Sequence, residues 1–335
     1  MIDFVGRRTW FYLFSILVIL PGLVSLLLPS GFKAGIEFSS GTTFTAQFAE
    51  PIPEEGMRSA LAQLGHPGAR VQRTGENRLL VRTGNLEGGV QAPPIGPAPP
   101  SEREVLEAAI EQRFGPLVDN DGNTIHRFLE FAAVSPSVSS DIGRNATLAV
   151  GVASLAILIY ITIAFISVPQ PIRYGASAIL ALLHDVVLVL GAASILGRLF
   201  GFEINTLFIT AMLTIVGFSV HDSIVVFDRV RENVRRAAAA GAEATLSQAV
   251  NASLNQTLGR SLNTSLTVVL TLVALILLGG ETIRDFLIIM LIGLVSGTYS
   301  SIFVASQALV SWDEGDLPRL LRRLIPRGTA GEAAA

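Results

Sequence analysis

Two acidic residues lie inside apolar runs that are long enough to cross a membrane. Asp222 belongs to the run at residues 206–226, and Asp185 follows His184 in the preceding run. A charged acid at the centre of a membrane helix costs about 2.5–3.5 kcal/mol on insertion scales, so such a group usually titrates, pairs with a cation or lines a water path. The two acids therefore indicate a functional polar site within the membrane.

A basic residue and two histidines accompany these acids. At a rise of 1.5 Å per residue, Asp222 lies about 6 Å from the cytoplasmic end of its run, and Asp185 about 20 Å from the cytoplasmic end of its own. Arg260 begins a later run on the same side, so we expect its side chain to reach Asp222. His221 and His184 are candidates for a proton relay. The alternatives are a permanent ion pair that only fixes helix packing, and histidines that merely face a neighbouring helix.

Small residues in these runs predict close helix contacts. Gly217 precedes Asp222, and Gly293 and Gly297 lie four residues apart in the last run, followed at the same spacing by Ser301 and Ala305. Small residues on one stripe let the backbone of a second helix approach closely. That second helix belongs either to this chain or to a partner subunit.

Composition identifies an integral membrane protein. Half of the 335 residues are apolar and 15% are charged, and the mean hydropathy is +0.55. The chain has no cysteine, which excludes disulfides and thiolate sites, and its net charge of −3 argues against a nucleic-acid partner. We expect no cofactor and no metal. The apolar runs long enough to span a bilayer are residues 9–28, 147–168, 172–196, 206–226, 262–278 and 286–310.

The arginines set the predicted topology. Arg7, Arg8, Arg173 and Arg260, with further arginines after the fourth and sixth runs, all fall on one side if six helices span the membrane. Under the positive-inside rule both termini are then cytoplasmic. The first run is too long for a signal peptide and is expected to remain as an anchor. The predicted segments are residues 1–30 (N-terminus and first helix), 31–141 (outer domain), 142–310 (five further helices with a cytoplasmic loop at 227–260, expected as helices on the membrane surface) and 311–335 (cytoplasmic tail).

The outer domain has the pattern of a small α+β module. Its order of predicted elements is strand, helix, strand, strand, helix, strand, with an exposed loop rich in proline and glycine at residues 90–100. Ser101 and Glu104 form a capping-box pattern that predicts the start of the second helix. This order is typical of a ferredoxin-like domain, and it contains no cluster of catalytic residues.

Several stretches resemble one known family, the SecD/SecF protein-export membrane proteins, and within it the SecF branch. The stretch at residues 217–233 is similar to the SecF signature, and residues 182–186, 255–265, 279–286 and 297–301 are similar to its other membrane motifs. Residues 35–42 are also similar, but Glu37 and the pair Ser39–Ser40 stand where the family usually has an aspartate and two glycines.

The resemblance implies a six-helix half of a transporter of the RND superfamily in the bacterial inner membrane. It implies SecD as the other half, with the SecY/SecE/SecG translocon, a YajC-type subunit, an exported unfolded polypeptide and membrane lipid as further partners. By motif, the proton-linked acid of the family falls on Asp222 and its arginine on Arg260, with Asp185 as a further polar member.

The expected function is promotion of late protein translocation by the proton motive force. A structural partner of SecD that carries no protons and a small-molecule RND exporter are the alternatives. Intramembrane aspartyl proteases are not expected, because no Gly-x-Gly-Asp pattern precedes Asp222 and the two acids have different estimated depths. HD hydrolases need further His and Asp ligands in a soluble helical domain, so no enzyme is expected. The choice between proton and sodium stays open.

Overall fold

The computed structural model describes residues 2–29, 31, 33–86, 100–241 and 245–316. Within these ranges the chain forms two compact units, one of residues 34–147 and one that combines residues 1–33 with 148–335. The helices are α1 Arg8–Leu27, α2 Ile36–Ser39, α3 Glu54–Gln63, α4 Glu102–Phe114, α5 Pro136–Ala164, α6 Pro171–Phe200, α7 Thr206–Ala239, α8 Leu246–Leu278, α9 Glu281–Ser300 and α10 Ser306–Asp313. A π-helical turn, Ser301–Ala305, joins α9 to α10.

The smaller unit is built on a four-stranded antiparallel sheet. The strands are β1 Gly41–Gln47, β2 Arg70–Arg73, β3 Arg78–Thr83 and β4 Glu130–Val134, in the spatial order β2-β3-β1-β4. Its core contains Phe44 of β1, stacked on Phe128 with ring centroids 3.9 Å apart, and Leu61 and Ile110 from the two longer helices. The order of strands and helices is the one that the sequence predicts.

The start of α4 confirms the capping box. The Ser101 hydroxyl accepts a hydrogen bond from the Glu104 backbone N–H, and the Glu104 carboxylate accepts one from the Ser101 N–H. Residues 87–99 lie outside the described residues, and so does most of the loop predicted at residues 90–100.

The helices that can cross a membrane lie in the larger unit, except that α5 begins in the smaller one. Among the described residues, six helical stretches are long and apolar enough to do so, with the last running from α9 through the π-helical turn into α10. Several are longer than the apolar runs indicate, because α5 begins at Pro136, α7 continues to Ala239 and α8 begins at Leu246. Apolarity marks only the part of a helix that faces lipid, whereas polar residues continue the same helix into water.

This lengthening corrects the prediction of surface helices between residues 227 and 260. The polar ends of α7 and α8 are continuations of the spanning helices, and they pack on each other. Asn233 donates to the hydroxyl of Ser253 at 2.8 Å, and Glu232 pairs along α7 with Arg229 and Arg236. Pairs at i,i+3 and i,i+4 stabilise an exposed helix, which explains why α7 does not end where its apolar residues end. Of the predicted tail at residues 311–335, only the part up to residue 316 is described.

The first helix is fastened to α6 by small residues and one arginine. The Cα of Gly191 lies 2.7 Å from the position of a Cβ added to Gly22, and the hydroxyls of Ser25 and Ser194 are 2.7 Å apart. Arg198 donates to the Ser25 hydroxyl and to backbone carbonyls at the end of α1. The guanidinium thus satisfies carbonyls that a helix C-terminus leaves without partners.

Candidate functional site

Asp185, near the middle of α6, is enclosed by hydroxyl groups from two other helices. Its carboxylate is 1% exposed. Oδ2 accepts hydrogen bonds from Ser219 of α7 and Ser300 of α9, and Oδ1 accepts one from Ser296 of α9, each at 2.6 Å. The Nδ1 atom of His184 lies 3.1 Å from Oδ1. Both oxygens of the buried acid are therefore partnered, and the bonds join three helices.

The spacing of residues on α9 explains how it reaches this acid. Ser296 and Ser300 are four residues apart, so both hydroxyls lie on one face of the helix. Gly297 lies between them, and a Cβ there would stand 3.1 Å from the Cβ of Ser219. One turn earlier, a Cβ on Gly293 would stand 2.1 Å from Ile215. The stripe of small residues thus faces α7 of the same chain and lets it approach closely enough for the serines to bond Asp185.

Asp222 has a different environment. The residue is 2% exposed, but its Oδ2 has no hydrogen-bond partner among the described residues. From α8, the Ser265 side chain interacts with Asp222 through a hydrogen bond. The Ser265 hydroxyl also accepts a hydrogen bond from Thr298 of α9 at 2.7 Å. A buried polar atom without a partner is costly. Asp222 therefore needs a proton, a cation or water to satisfy that oxygen.

The two acids lie closer in depth than the sequence suggests. Ser219 bonds Asp185, and Asp222 is three residues further along α7, or about 4.5 Å along the helix axis. Counting from the ends of the apolar runs placed Asp185 much deeper, and this estimate is corrected. It failed because α7 continues to Ala239, well past the cytoplasmic end of its apolar run at residue 226, so that end is a poor marker of depth.

Arg260, the predicted partner of Asp222, is not paired with it. Arg260 is exposed, and its guanidinium forms no ion pair with Asp222 in this conformation. His221 is exposed beside Asp222 on α7, and Gly217 is exposed with no atom from another part of the described chain within 4 Å of an added Cβ. The close contact expected at Gly217 is therefore not made within this chain. We call Gly217, His221 and Arg260 the outer face of α7 and α8.

His184 links the Asp185 site towards α1. Its ring centroid lies 6.1 Å from that of Tyr299, and the Tyr299 hydroxyl donates to the carbonyl of Phe11 in α1 at 2.7 Å. The Nε2 atom of His184 is buried without a partner among the described residues. His184 and His221 are thus not brought together, since one is in the bundle and the other on its outer face.

Sequence reasoning missed the serines of the site. Ser219, Ser296, Ser300 and Ser265 are the groups that meet the two acids. Hydroxyl residues repeating at helical spacing within apolar runs were the available signal, although serine also occurs at ordinary helix contacts. Within the ranges that the structure describes, no three His, Asp or Glu side chains gather as metal ligands would.

Known proteins of one family are similar to this chain over nearly its whole length. Residues 118–315 match the family model described as "Protein export membrane protein SecD/SecF, C-terminal". The chain is 47% identical to the protein translocase subunit SecF of Thermobaculum terrenum, covering 98% of this chain and 100% of that one. It is 39% identical to the SecF subunit of Anaerolinea thermophila, covering 96% and 98%.

Solved structures give the same result for the fold. The crystal structure of SecDF from Thermus thermophilus, a translocon-associated membrane protein, is similar with a TM-score of 0.75 and 32% identity over 93% of this chain. SecDF in a super-membrane-facing form has a TM-score of 0.61 and 30% identity over 96%. The chain spans about two-fifths of those chains, 39% and 40% of their lengths. Together these matches identify a helical membrane protein of RND type.

Proposed function

Because the chain belongs to the SecD/SecF family of protein-export membrane proteins, we propose that it uses the proton motive force to promote late stages of translocation as a SecF-type translocase subunit. Family membership and near-complete coverage of the SecF relatives support the subunit assignment. The coupling to protons rests on one observation, the unpartnered carboxylate oxygen of Asp222 inside the bundle.

The proposed coupling exchanges the partner of Asp222. In one state its carboxyl group holds a proton. In the other it is charged and pairs with Arg260, which lies exposed on the next helix in the present conformation. Moving one elementary charge across the membrane is worth about 2.3 kcal/mol per 100 mV, enough to bias two arrangements of packed helices. His221, beside Asp222 on the outer face, is a candidate to pass the proton, and His184 is a second candidate relay, with Asp185 as the further polar member of the proposed site.

The outer domain is proposed as a ferredoxin-like module on the periplasmic side. Its strand order, β2-β3-β1-β4, with two helices inserted between strands, supports that assignment. The distribution of arginines supports cytoplasmic termini and location in the inner membrane. The shift of helices would act on this domain so that it grips and releases an exported unfolded chain.

SecD is the proposed partner in the membrane. The SecF relatives and the larger SecDF chains support this partnership. So does the outer face of α7 and α8, because His221 and Arg260 are exposed on helices that cross lipid, and ionisable side chains in the bilayer usually face another protein surface or a water-filled cavity. The SecY/SecE/SecG translocon and a YajC-type subunit are the proposed neighbours. An enzymatic activity is not proposed.

The test is proton-dependent secretion by the Asp222→Asn variant in cells that lack the native protein. We expect the variant to assemble with SecD and to lose the stimulation of secretion by the proton gradient. Asp228→Asn is the matched control, since Asp228 lies on the same helix, is exposed and pairs with Arg231. It should retain the stimulation.

Three results would contradict the proposal. Full stimulation in Asp222→Asn would leave a purely structural partner of SecD as the function. Stimulation by a sodium gradient alone would keep Asp222 but replace the proton. Export of a small molecule by the complex, with no effect on secretion, would instead favour an RND exporter.

A further inference from the structure

Asp185 is a buried acid whose hydrogen-bonding capacity is used on both oxygens. The hydroxyls of Ser219, Ser296 and Ser300 each donate a hydrogen bond to this carboxylate, and each bond is 2.6 Å long. That length falls in the range of charge-assisted hydrogen bonds between a hydroxyl and a carboxylate. A proton on either oxygen removes the negative charge, so these hydrogen bonds would change from charge-assisted to neutral ones, which are roughly half as strong. Protonation of Asp185 would thus weaken the bonds between the helices.

The bonds also lie where the helices must keep their register. Ser219 is three residues before Asp222 on α7, and Gly297 packs on it from α9. Ser300 is the last residue of α9 before the π-helical turn, a type of turn that is frequent at functional sites. A bond at each of these positions fixes α7 and α9 against α6 next to the proposed proton site.

From this geometry we infer that Asp185 is a positioning residue that fastens α7 and α9 to α6 and holds Asp222 in place, while Asp222 alone exchanges protons. The inference rests on the proposed function and deepens it, because it separates the two acids that the membrane motifs place side by side.

The groups that face the two acids limit what else could titrate there. Asp185 is faced by His184 on its own helix, with Tyr299 of α9 beyond it, and by serines from α7 and α9. Asp222 is faced by His221 on its own helix and by Ser265 from α8. Infrared spectroscopy separates carboxyl groups from these neighbours, because a protonated carboxyl has its own carbonyl-stretch band.

The experiment follows that band during a pH titration of the purified protein in lipid nanodiscs. We expect one band that is absent from Asp222→Asn and present in Asp185→Asn with its midpoint shifted by at least about half a pH unit, or roughly threefold in proton affinity. If Asp185→Asn removes a separate band, or leaves the midpoint unchanged, the inference is wrong. If Asp222→Asn removes no band, the proposed proton coupling fails along with it, so the two failures are distinguishable.

A pair of serine variants keeps the test valid if Asp185→Asn does not fold. Ser300 and Ser301 are both fully buried, but only Ser300 donates to Asp185, whereas Ser301 donates to the carbonyl of Thr298. We expect Ser300→Ala to shift the midpoint of the Asp222 band and Ser301→Ala to leave it in place. Equal shifts in both variants, or none in either, would overturn the positioning role of Asp185.

Discussion

Asp185 of α6 and Asp222 of α7 are two buried acids with opposite surroundings. Asp185 accepts hydrogen bonds from three serine hydroxyls of α7 and α9, so both of its carboxylate oxygens have partners. Near the outer face, Asp222 is equally buried but keeps one oxygen without a partner. An acid whose two oxygens both have hydrogen-bond partners on other helices holds those helices together. An acid with an oxygen that lacks a partner can still bind a proton, a cation or water. Burial alone therefore does not tell which acid works in a cycle.

The difference follows from the period of the helix. Ser219 and Asp222 are three residues apart and both point inwards, whereas Gly217 and His221 are four residues apart and both are exposed. The same short motif thus serves two surfaces. One packs against this chain, and the other is left for a partner.

The largest contrast is expected on removing each acid. Asp185→Ala leaves three buried hydroxyls without their acceptor and should destabilise the purified protein by about 1–3 kcal/mol for each hydroxyl that finds no other partner. Asp222→Ala removes an acid with few bonds and should change stability far less. Thermal unfolding in detergent measures both, and an equal loss in the two variants would remove the distinction between the sites.

Glycine substitutions on the two sides of α7 and α9 come next. Gly297→Val places methyl groups against Ser219 and should cost about 1–3 kcal/mol through overpacking. At Gly217 an added Cβ has no neighbour within 4 Å in the described chain, so Gly217→Val should not lower the unfolding temperature of the isolated protein. The Gly217 variant should instead weaken co-purification of SecD. Normal binding of SecD by Gly217→Val would show that the outer face is not its docking surface.

A smaller effect is expected at Thr298, the residue through which α9 contacts the Asp222 site. Thr298 donates to Ser265, the residue that acts on Asp222 from α8. Thr298→Val keeps the shape of the side chain and removes this bond, so it should cost about 1 kcal/mol in unfolding measurements. Thr271→Val is the control, because Thr271 is exposed and donates within its own helix. A larger loss in the control would contradict the role of the Thr298 bond.

The least disturbing test uses the absence of cysteine from the chain. Single cysteines at His221 and Arg260 should react with a water-soluble maleimide in the purified protein, whereas a cysteine at Ser296 should stay unreactive because that position is buried. Addition of SecD should protect the first two. Reaction at Ser296 at the same rate would show that the inner side opens to water.

Much of the architecture could be predicted from the sequence. Six apolar runs predict six spanning helices, and the capping box at Ser101 predicts the start of α4 because both are local signals. The motif around Asp222 identifies the family, and the comparisons confirm it. The predicted lengths of α7 and α8 were too short, because hydropathy identifies the apolar part of a helix that faces lipid. It does not show where the same helix continues with polar residues.

What the sequence by itself determined was that two acids would be buried in a membrane bundle, since the cost of charge in lipid depends on local composition. Only the tertiary structure decided their different environments. The serines that bind Asp185 come from positions 34 to 115 residues away, and their meeting depends on how α9 packs on α7 through Gly293 and Gly297. Hydrogen bonds require a particular rotation and distance between helices, and those are set by packing, which no single segment contains.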